Sequence, residues 1–311
     1  MNLNFNINRN RWNNLSYNND LISISNENSN KIFIDILKQN NFNDIQKYPN
    51  LRLCYDLIIN FLNINNDTII FGFGSDQILK DLFMTLDYKS IQIFDYSWAM
   101  AEVYNQIFKK NILNNGFIFK DKRFQLKNTP EKIGGDVLYI INPHCPTGFK
   151  MDDKEIINLA TKFKYIIVDE TYDHPLQLNK KLIEIDNIII VKSFSKLGGV
   201  PGMRIGYCVA NKSIINKMFV IKPTYELCAQ SIKYLQFIIN NNNIINDCIQ
   251  EFQKCFEILK KINGDGFNIQ CGNFGTFQKI KKFNGRNYII DNIPITRVTL
   301  TDSKNSNQLL L

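Results

Sequence analysis

The chain holds no apolar run near the roughly 20 residues that a membrane-crossing helix requires. Its first stretch, Met1 to Asp20, is polar and asparagine-rich, without the apolar core of a secretion signal. No membrane partner is expected, and the expected location is cytoplasmic. Histidine is nearly absent: His144 and His174 are the only two, and no metal-ligand spacing connects them, which argues against a metal centre. Both read as ordinary loop residues. Cys54, Cys145, Cys208, Cys228, Cys248, Cys255 and Cys271 are odd in number and lack any C-x-x-C pair, so free thiols in a reducing compartment are expected. Neither G-x-x-x-x-G-K-[ST] nor a complete G-x-G-x-x-G occurs, which argues against a nucleoside triphosphate or a dinucleotide. The net charge is +8, yet the lysines are scattered and no long basic block is interleaved with aromatics. Nucleic acid is not an expected partner. A positive surface instead concentrates small anions such as phosphates and carboxylates.

What is present suits an enzyme. With 311 residues, 44% of them hydrophobic, the chain can bury a large core and a second, smaller one. Between Asp67 and Ala210, runs rich in Ile, Val and Phe alternate with helix-like segments, the pattern of a mainly parallel sheet covered on both faces, hence an α/β, three-layer fold. The expected strands are Thr68–Phe73, Ile91–Phe94, Val137–Ile141, Tyr165–Asp169, Ile188–Lys192 and Ile205–Val209. Ligands of such sheets bind beyond the carboxyl ends of the strands, which singles out Ser75, Tyr96, Asn142, Asp169 and Ser193. From Thr224 the periodicity becomes helical, interrupted by a turn at Asn240–Asn243, with short strands near Phe274–Ile280 and Thr296–Leu300. The expected organisation is an N-terminal arm (1–30), a large domain (31–223) and a smaller α+β C-terminal domain (224–311).

Several clusters carry chemistry. Ile188 to Lys192 runs into Ser193-Phe194-Ser195-Lys196 and a glycine-rich loop ending at Arg204. A strand-end lysine forms an imine once burial or a neighbouring cation eases loss of its proton, while Ser193, Ser195 and Arg204 suit a phosphate. A surface lysine beside a flexible loop fits the same letters. Asp169-Glu170-Thr171-Tyr172 ends an apolar strand in two carboxylates. An ionised Asp169 is the right partner for a protonated pyridine nitrogen, and equally for a cap. Gly72-Phe73-Gly74-Ser75-Asp76 precedes a helix whose N–H groups can grip an anion; Ser75 or Asp76 serves equally as its N-cap. Asn142-Pro143-His144-Cys145-Pro146-Thr147-Gly148 reads as a rigid turn at the binding edge, and Tyr96 as an aromatic face for a flat ring or as core packing.

The order and spacing of these clusters resemble the class I/II aminotransferases of pyridoxal-phosphate fold type I, most closely the histidinol-phosphate aminotransferase branch. The likeness runs from about Ser25 to Leu309 and also takes in Met203-Arg204-Ile205-Gly206 and Thr296-Arg297-Val298-Thr299. The resemblance implies that pyridoxal 5'-phosphate is the cofactor, held as a Schiff base on Lys196. It implies further that Asp169 pairs with the pyridinium nitrogen, Tyr172 and the residue at Cys145 face the phenolic oxygen, and Tyr96 stacks on the ring. Ser75, Asp76, Ser193, Ser195 and Arg204 would surround the phosphate. Tyr48, in Tyr48-Pro49-Asn50, would reach the site of the neighbouring subunit of a homodimer. Arg297 would clamp the substrate carboxylate, and Asn26, within an N-terminal element like the family's N-E-N-P, would also meet the substrate.

The chain departs from the pattern at Cys145, where the family has asparagine, a much stronger donor than a thiol. It also lacks room for the helix usual between Phe277 and Arg297, so Arg286 becomes the candidate for gripping a substrate phosphate. Transamination between amino-acid or amino-phosphate and 2-oxo-acid substrates is the expected activity. The alternatives are decarboxylation or elimination, as in the threonine-phosphate decarboxylases that share this branch, and a member that binds the cofactor without turnover.

Overall fold

The structure is a computed structural model that describes Lys38, residues 46–264, 266–278, Phe283, 285–300, Ser303, Ser306 and Leu310. The arm 1–30, with Asn26, lies outside the described residues.

In chain order, α1 (Leu51–Leu62) leads to β1 (Ile69–Phe73), α2 (Gly74–Thr85), β2 (Ser90–Phe94), α3 (Ala99–Ile107) and β3 (Asn111–Asn115). A hairpin of β4 (Phe117–Lys120) and β5 (Arg123–Leu126) follows, then α4 (Pro130–Ile133), β6 (Val137–Ile141), α5 (Asp153–Leu159), β7 (Tyr165–Asp169), α6 (Lys180–Ile183) and β8 (Ile188–Ser193). Next come β9 (Ile205–Val209), α7 (Lys212–Ile221), α8 (Ala229–Asn240) and α9 (Asn243–Asn263). The last strands are β10 (Asn268–Cys271), β11 (Phe274–Gln278), β12 (Arg286–Ile290) and β13 (Ile293–Thr299).

Seven strands form one sheet in the order β1-β9-β8-β7-β6-β2-β3. β9 runs antiparallel to both its neighbours, and the other pairings are parallel. Strands β6 and β9 are buried along their whole length, the expected state of strands covered on two faces. On one face, Tyr139, Ile141, Ile167 and Val191 pack on Leu79, Leu82 and Phe83 of α2 and Ile215 and Met218 of α7. On the other, Leu138, Ile140, Ile166 and Ile190 pack on Ile156 and Leu159 of α5 and Leu182 of α6. Burial of each of these side chains contributes roughly 1.5–3 kcal/mol before chain entropy is charged against it.

The remaining sheet, β10-β11-β13-β12, is antiparallel. Its Phe277 and Val298 pack on Phe252, Phe256 and Leu259 of α9, while Ile290 and Ile295 pack toward Phe117 and Phe124 of the β4–β5 hairpin. Between Phe277 and Arg297 the chain makes the β12–β13 hairpin, the short connection that the sequence spacing demands. α8 packs against α1, with Leu235 and Ile238 meeting Cys54 and Ile58.

One reading is corrected, and β3 had none. Neither Ser75 nor Asp76 caps α2: the helix already begins at Gly74, and Gln77 Oε1 turns back to accept from Phe73 N at 2.8 Å. β3 was unread because Asn-Ile-Leu-Asn-Asn has strand geometry imposed by its parallel pairing to β2, against the preference of asparagine for turns.

Candidate active site

The site gathers where β1, β6, β7 and β8 end. Asp169 closes β7, and only 3% of it is exposed. Its carboxylate accepts from Tyr139 Oη at 2.7 Å, Thr171 Oγ1 at 2.5 Å and Thr171 N at 3.0 Å. Burial pushes its pKa up, and the Thr171 and Tyr139 hydrogen bonds and the nearby Lys196 charge pull it down. Lys196 Nζ stands 5.5 Å from the centroid of the Tyr172 ring. Lys196, Asp169 and Tyr172 therefore lie together, although Lys196 is 27 residues beyond Asp169 in sequence.

Tyr172 packs edge-on against Phe274 at 5.2 Å. Burial, and next the Cys145 sulfur, raises its pKa well above the usual phenol value. Arg297 Nη1 donates to Cys145 Sγ at 3.5 Å and Nη2 to Thr299 Oγ1 at 3.3 Å, while its buried Nε meets no hydrogen-bond partner among the described residues. Cys145 is thus the bridge between Tyr172 and the guanidinium. Arg286 is the direct cross-strand partner of Arg297, so both side chains leave the same face of the hairpin, and its guanidinium lies 5.4 Å from the Tyr288 ring.

At the end of β1, Ser75 Oγ lies 3.2 Å from Thr171 Oγ1, whose proton goes to Asp169, so the Ser75 hydroxyl is the donor of this pair. Arg204, held at φ 50°, donates to Pro201 O at 3.3 Å and Phe73 O at 3.4 Å, and its own carbonyl takes Gly74 N–H at 2.9 Å. Gly74 sits at φ +76°, and a Cβ there would lie 2.5 Å from Arg204 Nη2; one on Gly206 would fall on Ser75 N. Bare N–H groups at the start of α2 thus stand beside a guanidinium, a pairing that fits a phosphate. Ser193 Oγ accepts from Ser195 N at 3.1 Å, and both serines are buried. Asp76 is engaged elsewhere, accepting from Tyr104 Oη at 3.0 Å.

Tyr96 is 42% exposed and held at φ 63°, a strained conformation for a tyrosine; its Oη donates to Ile289 O at 2.8 Å and its ring meets Tyr288 edge-on at 6.2 Å. Core packing is therefore not its role. Tyr48 is 79% exposed and stacks on Tyr225 at 4.4 Å, away from the other site residues of its own chain. Asn142 is structural: its carboxamide accepts from Met151 N and donates to Met151 O, closing the turn. His144 is wholly buried, bonds Thr147 Oγ1 at 2.8 Å, and its pKa is pushed down to about 3 by burial.

Three neighbours of these residues were not singled out from the sequence, and one of them carried a signal. Tyr139 sits inside an apolar strand, and only its parallel register against β7 brings it to Asp169. Thr171 was discoverable, since a hydroxyl two residues past an aspartate commonly turns back on it. Tyr288 emerges only from the hairpin fold.

A family model described as aminotransferase class I and II matches residues 1–262. A histidinol-phosphate aminotransferase of Brachyspira hyodysenteriae is 29% identical over 252 residues, covering 75% of this chain and 69% of that protein. Two solved structures share the fold. The histidinol-phosphate aminotransferase of Sinorhizobium meliloti in complex with pyridoxal-5'-phosphate gives a TM-score of 0.75 at 14% identity, over 89% of this chain and 84% of that one. The L-threonine-O-3-phosphate decarboxylase of Porphyromonas gingivalis gives 0.67 at 18%, over 89% and 93%. With the family profile spanning most of its length and the half-buried Lys196 beside the buried Asp169 carboxylate at the strand ends, this chain belongs to the class I and II aminotransferases and is a pyridoxal 5'-phosphate-dependent enzyme.

Proposed function

We propose that this enzyme moves an amino group between an amino acid or amino phosphate and a 2-oxo acid, in a cytosolic homodimer. The large part (31–223) would hold the cofactor, and the shortened part (224–311) would cover the substrate. The observation that carries the reading is the contiguous set Asp169, Lys196, Tyr172, Cys145 and Arg297 at the strand ends.

The cofactor, when bound, supplies an electron sink for the bond broken at the substrate's α carbon. Everything else falls to the protein. Lys196 Nζ would hold the cofactor covalently and, once freed, would move the substrate's α proton as base and then acid. Asp169 would face the ring nitrogen, and the three hydrogen bonds from Tyr139 and Thr171 favour its charged form against the opposing push of burial. Ser75, Ser193, Ser195 and Arg204 would bind the phosphate, and Tyr96 would cover the ring. Tyr172 and Cys145 would face the phenolic oxygen. Arg297 orients the substrate by its carboxylate, using the Nε that meets no partner among the described residues. Tyr48, exposed and remote from the site of its own chain, is the residue offered to the partner subunit's site.

Arg286 favours a substrate with a second anionic group. Two arginines directly opposite on neighbouring strands repel each other, and a dianionic ligand between them relieves that repulsion. A spectral screen of amino donors tests the activity. Conversion to the aminated cofactor by glutamate or an amino phosphate is the expected result; carbon dioxide release without that conversion would make the enzyme a decarboxylase.

A further inference from the structure

Asp169 and Glu170 are consecutive, so they point to opposite sides of the strand end. Asp169 serves the catalytic site. On the other side, Glu170 forms a buried ion pair with Lys192, and Lys192 Nζ also donates to His174 O at 3.1 Å. Beyond them opens a cleft of about 480 Å³ between segment 143–177 and the α9–β10 region. Its volume is that of a small-molecule site. Asp169, Lys196, Ser75, Arg204 and Arg297 do not line it; Tyr172, which also belongs to the catalytic set, lines it together with Cys271 and Gly272. Gly272, at φ +54°, presses so closely on the backbone of Tyr172 that a Cβ there would fall on Tyr172 O.

His174, 7% exposed, is the unusual feature of this cleft. Its Nδ1 accepts from Leu176 N at 3.1 Å, so the proton of the neutral ring sits on Nε2. Burial, and then the Lys192 charge, lowers its pKa and keeps the ring neutral. Among the described residues Nε2 is buried with no hydrogen-bond partner of good distance and angle; the Asn246 carboxamide, which also lines the cleft, is the one group close enough to act on it. An unsatisfied buried donor costs on the order of 1–3 kcal/mol, and natural sites rarely retain one without use.

The rest of the lining offers both signs of charge and several amides. Lys150 Nζ is 3.8 Å from Asp173 Oδ2, a loose and partly exposed pair, and Gln253 and Gln270 present carboxamides. One cation, one anion and a neutral imidazole add no net charge. A ligand that carries both signs satisfies such a wall without stranding either ion.

We propose that this cleft is a second binding site, for a free amino acid in its zwitterionic form, with the carboxylate toward His174 Nε2–H and Lys150 and the ammonium toward Asp173. The site is independent of the catalytic reading, since it shares none of its charged residues. Occupancy would wedge α9 against the segment that carries Tyr172, which makes it a place from which amino-acid supply can modulate the enzyme.

The test is calorimetric titration of the full chain carrying Arg297→Ala, which removes the catalytic carboxylate clamp, with each of the twenty common amino acids. At least one is expected to bind. Adding Lys150→Ala, a change at an exposed side chain, is expected to weaken that binding about tenfold, a loss of about 1.4 kcal/mol, and His174→Phe to abolish it. In the chain with Arg297 intact, Lys150→Ala is expected to leave turnover at low amino-acid concentration unchanged. No binding to the Arg297→Ala chain, or binding indifferent to Lys150→Ala, overturns the proposal. Should His174→Phe fail to fold, Lys150→Ala alone decides.

Discussion

Tyr139 reaches Asp169 across a parallel strand pair, its hydroxyl donating at 2.7 Å to a carboxylate sealed from water. That bond opposes the upward push of burial on the Asp169 pKa. Tyr139→Phe removes the donor, so Asp169 stays protonated to higher pH. The acid limb of kcat/KM is expected to move upward, with the basic limb in place. An acid limb that stays put would mean that Tyr139 does not tune Asp169.

Lys196→Ala should lower turnover by about three orders of magnitude or more, because both covalent attachment and proton transfer rest on one nitrogen. Borohydride reduction of the loaded enzyme followed by peptide mass mapping should place the cofactor on Lys196. A label on any other lysine removes that assignment.

Cys145 touches Arg297 and faces Tyr172, so replacing it alters two contacts at once. Cys145→Asn supplies a stronger donor toward the phenolic oxygen. It is expected to shift the pH dependence of the cofactor's visible absorbance, and an unchanged titration would take Cys145 out of the cofactor's surroundings. Arg297→Ala should lower kcat/KM for amino acids by about 2 kcal/mol or more, near thirtyfold, mainly through KM.

Gly206→Ala is expected to weaken cofactor binding. Its new methyl group would collide with the Ser75 backbone nitrogen, and that neighbour cannot rotate away as a flexible side chain can. The turn that starts α2 must then leave β9. A roughly tenfold rise in the cofactor's Kd, with the fold intact by circular dichroism, is the expected reading; unchanged affinity would place the phosphate elsewhere.

Lys192→Met leaves Glu170 buried without its cation, and breaking a buried pair in this way costs on the order of 3–5 kcal/mol. Urea denaturation should show that loss, and the second change Glu170→Leu should restore much of it. If the double variant is no more stable than the single, the pair is not the source of the effect.

The sequence determined much of this on its own. The apolar runs at β6, β7 and β9 match the expected strands residue for residue, because a strand covered on both faces has no choice but continuous hydrophobicity. Residues at the ends of the parallel strands, among them Ser75 after β1, Asp169 closing β7 and Lys196 after β8, could be singled out for a related reason. In a parallel sheet the strand ends converge on one edge, so motifs far apart in sequence become neighbours by topology alone. What the sequence could not reach were relationships set by register and by opposite faces. Tyr139 against Asp169, Arg286 opposite Arg297, and the Glu170–Lys192 pair with its orphaned His174 each depend on which residues stand side by side across strands. A shift of one residue would send every one of those side chains to the other face, and only tertiary packing fixes that register.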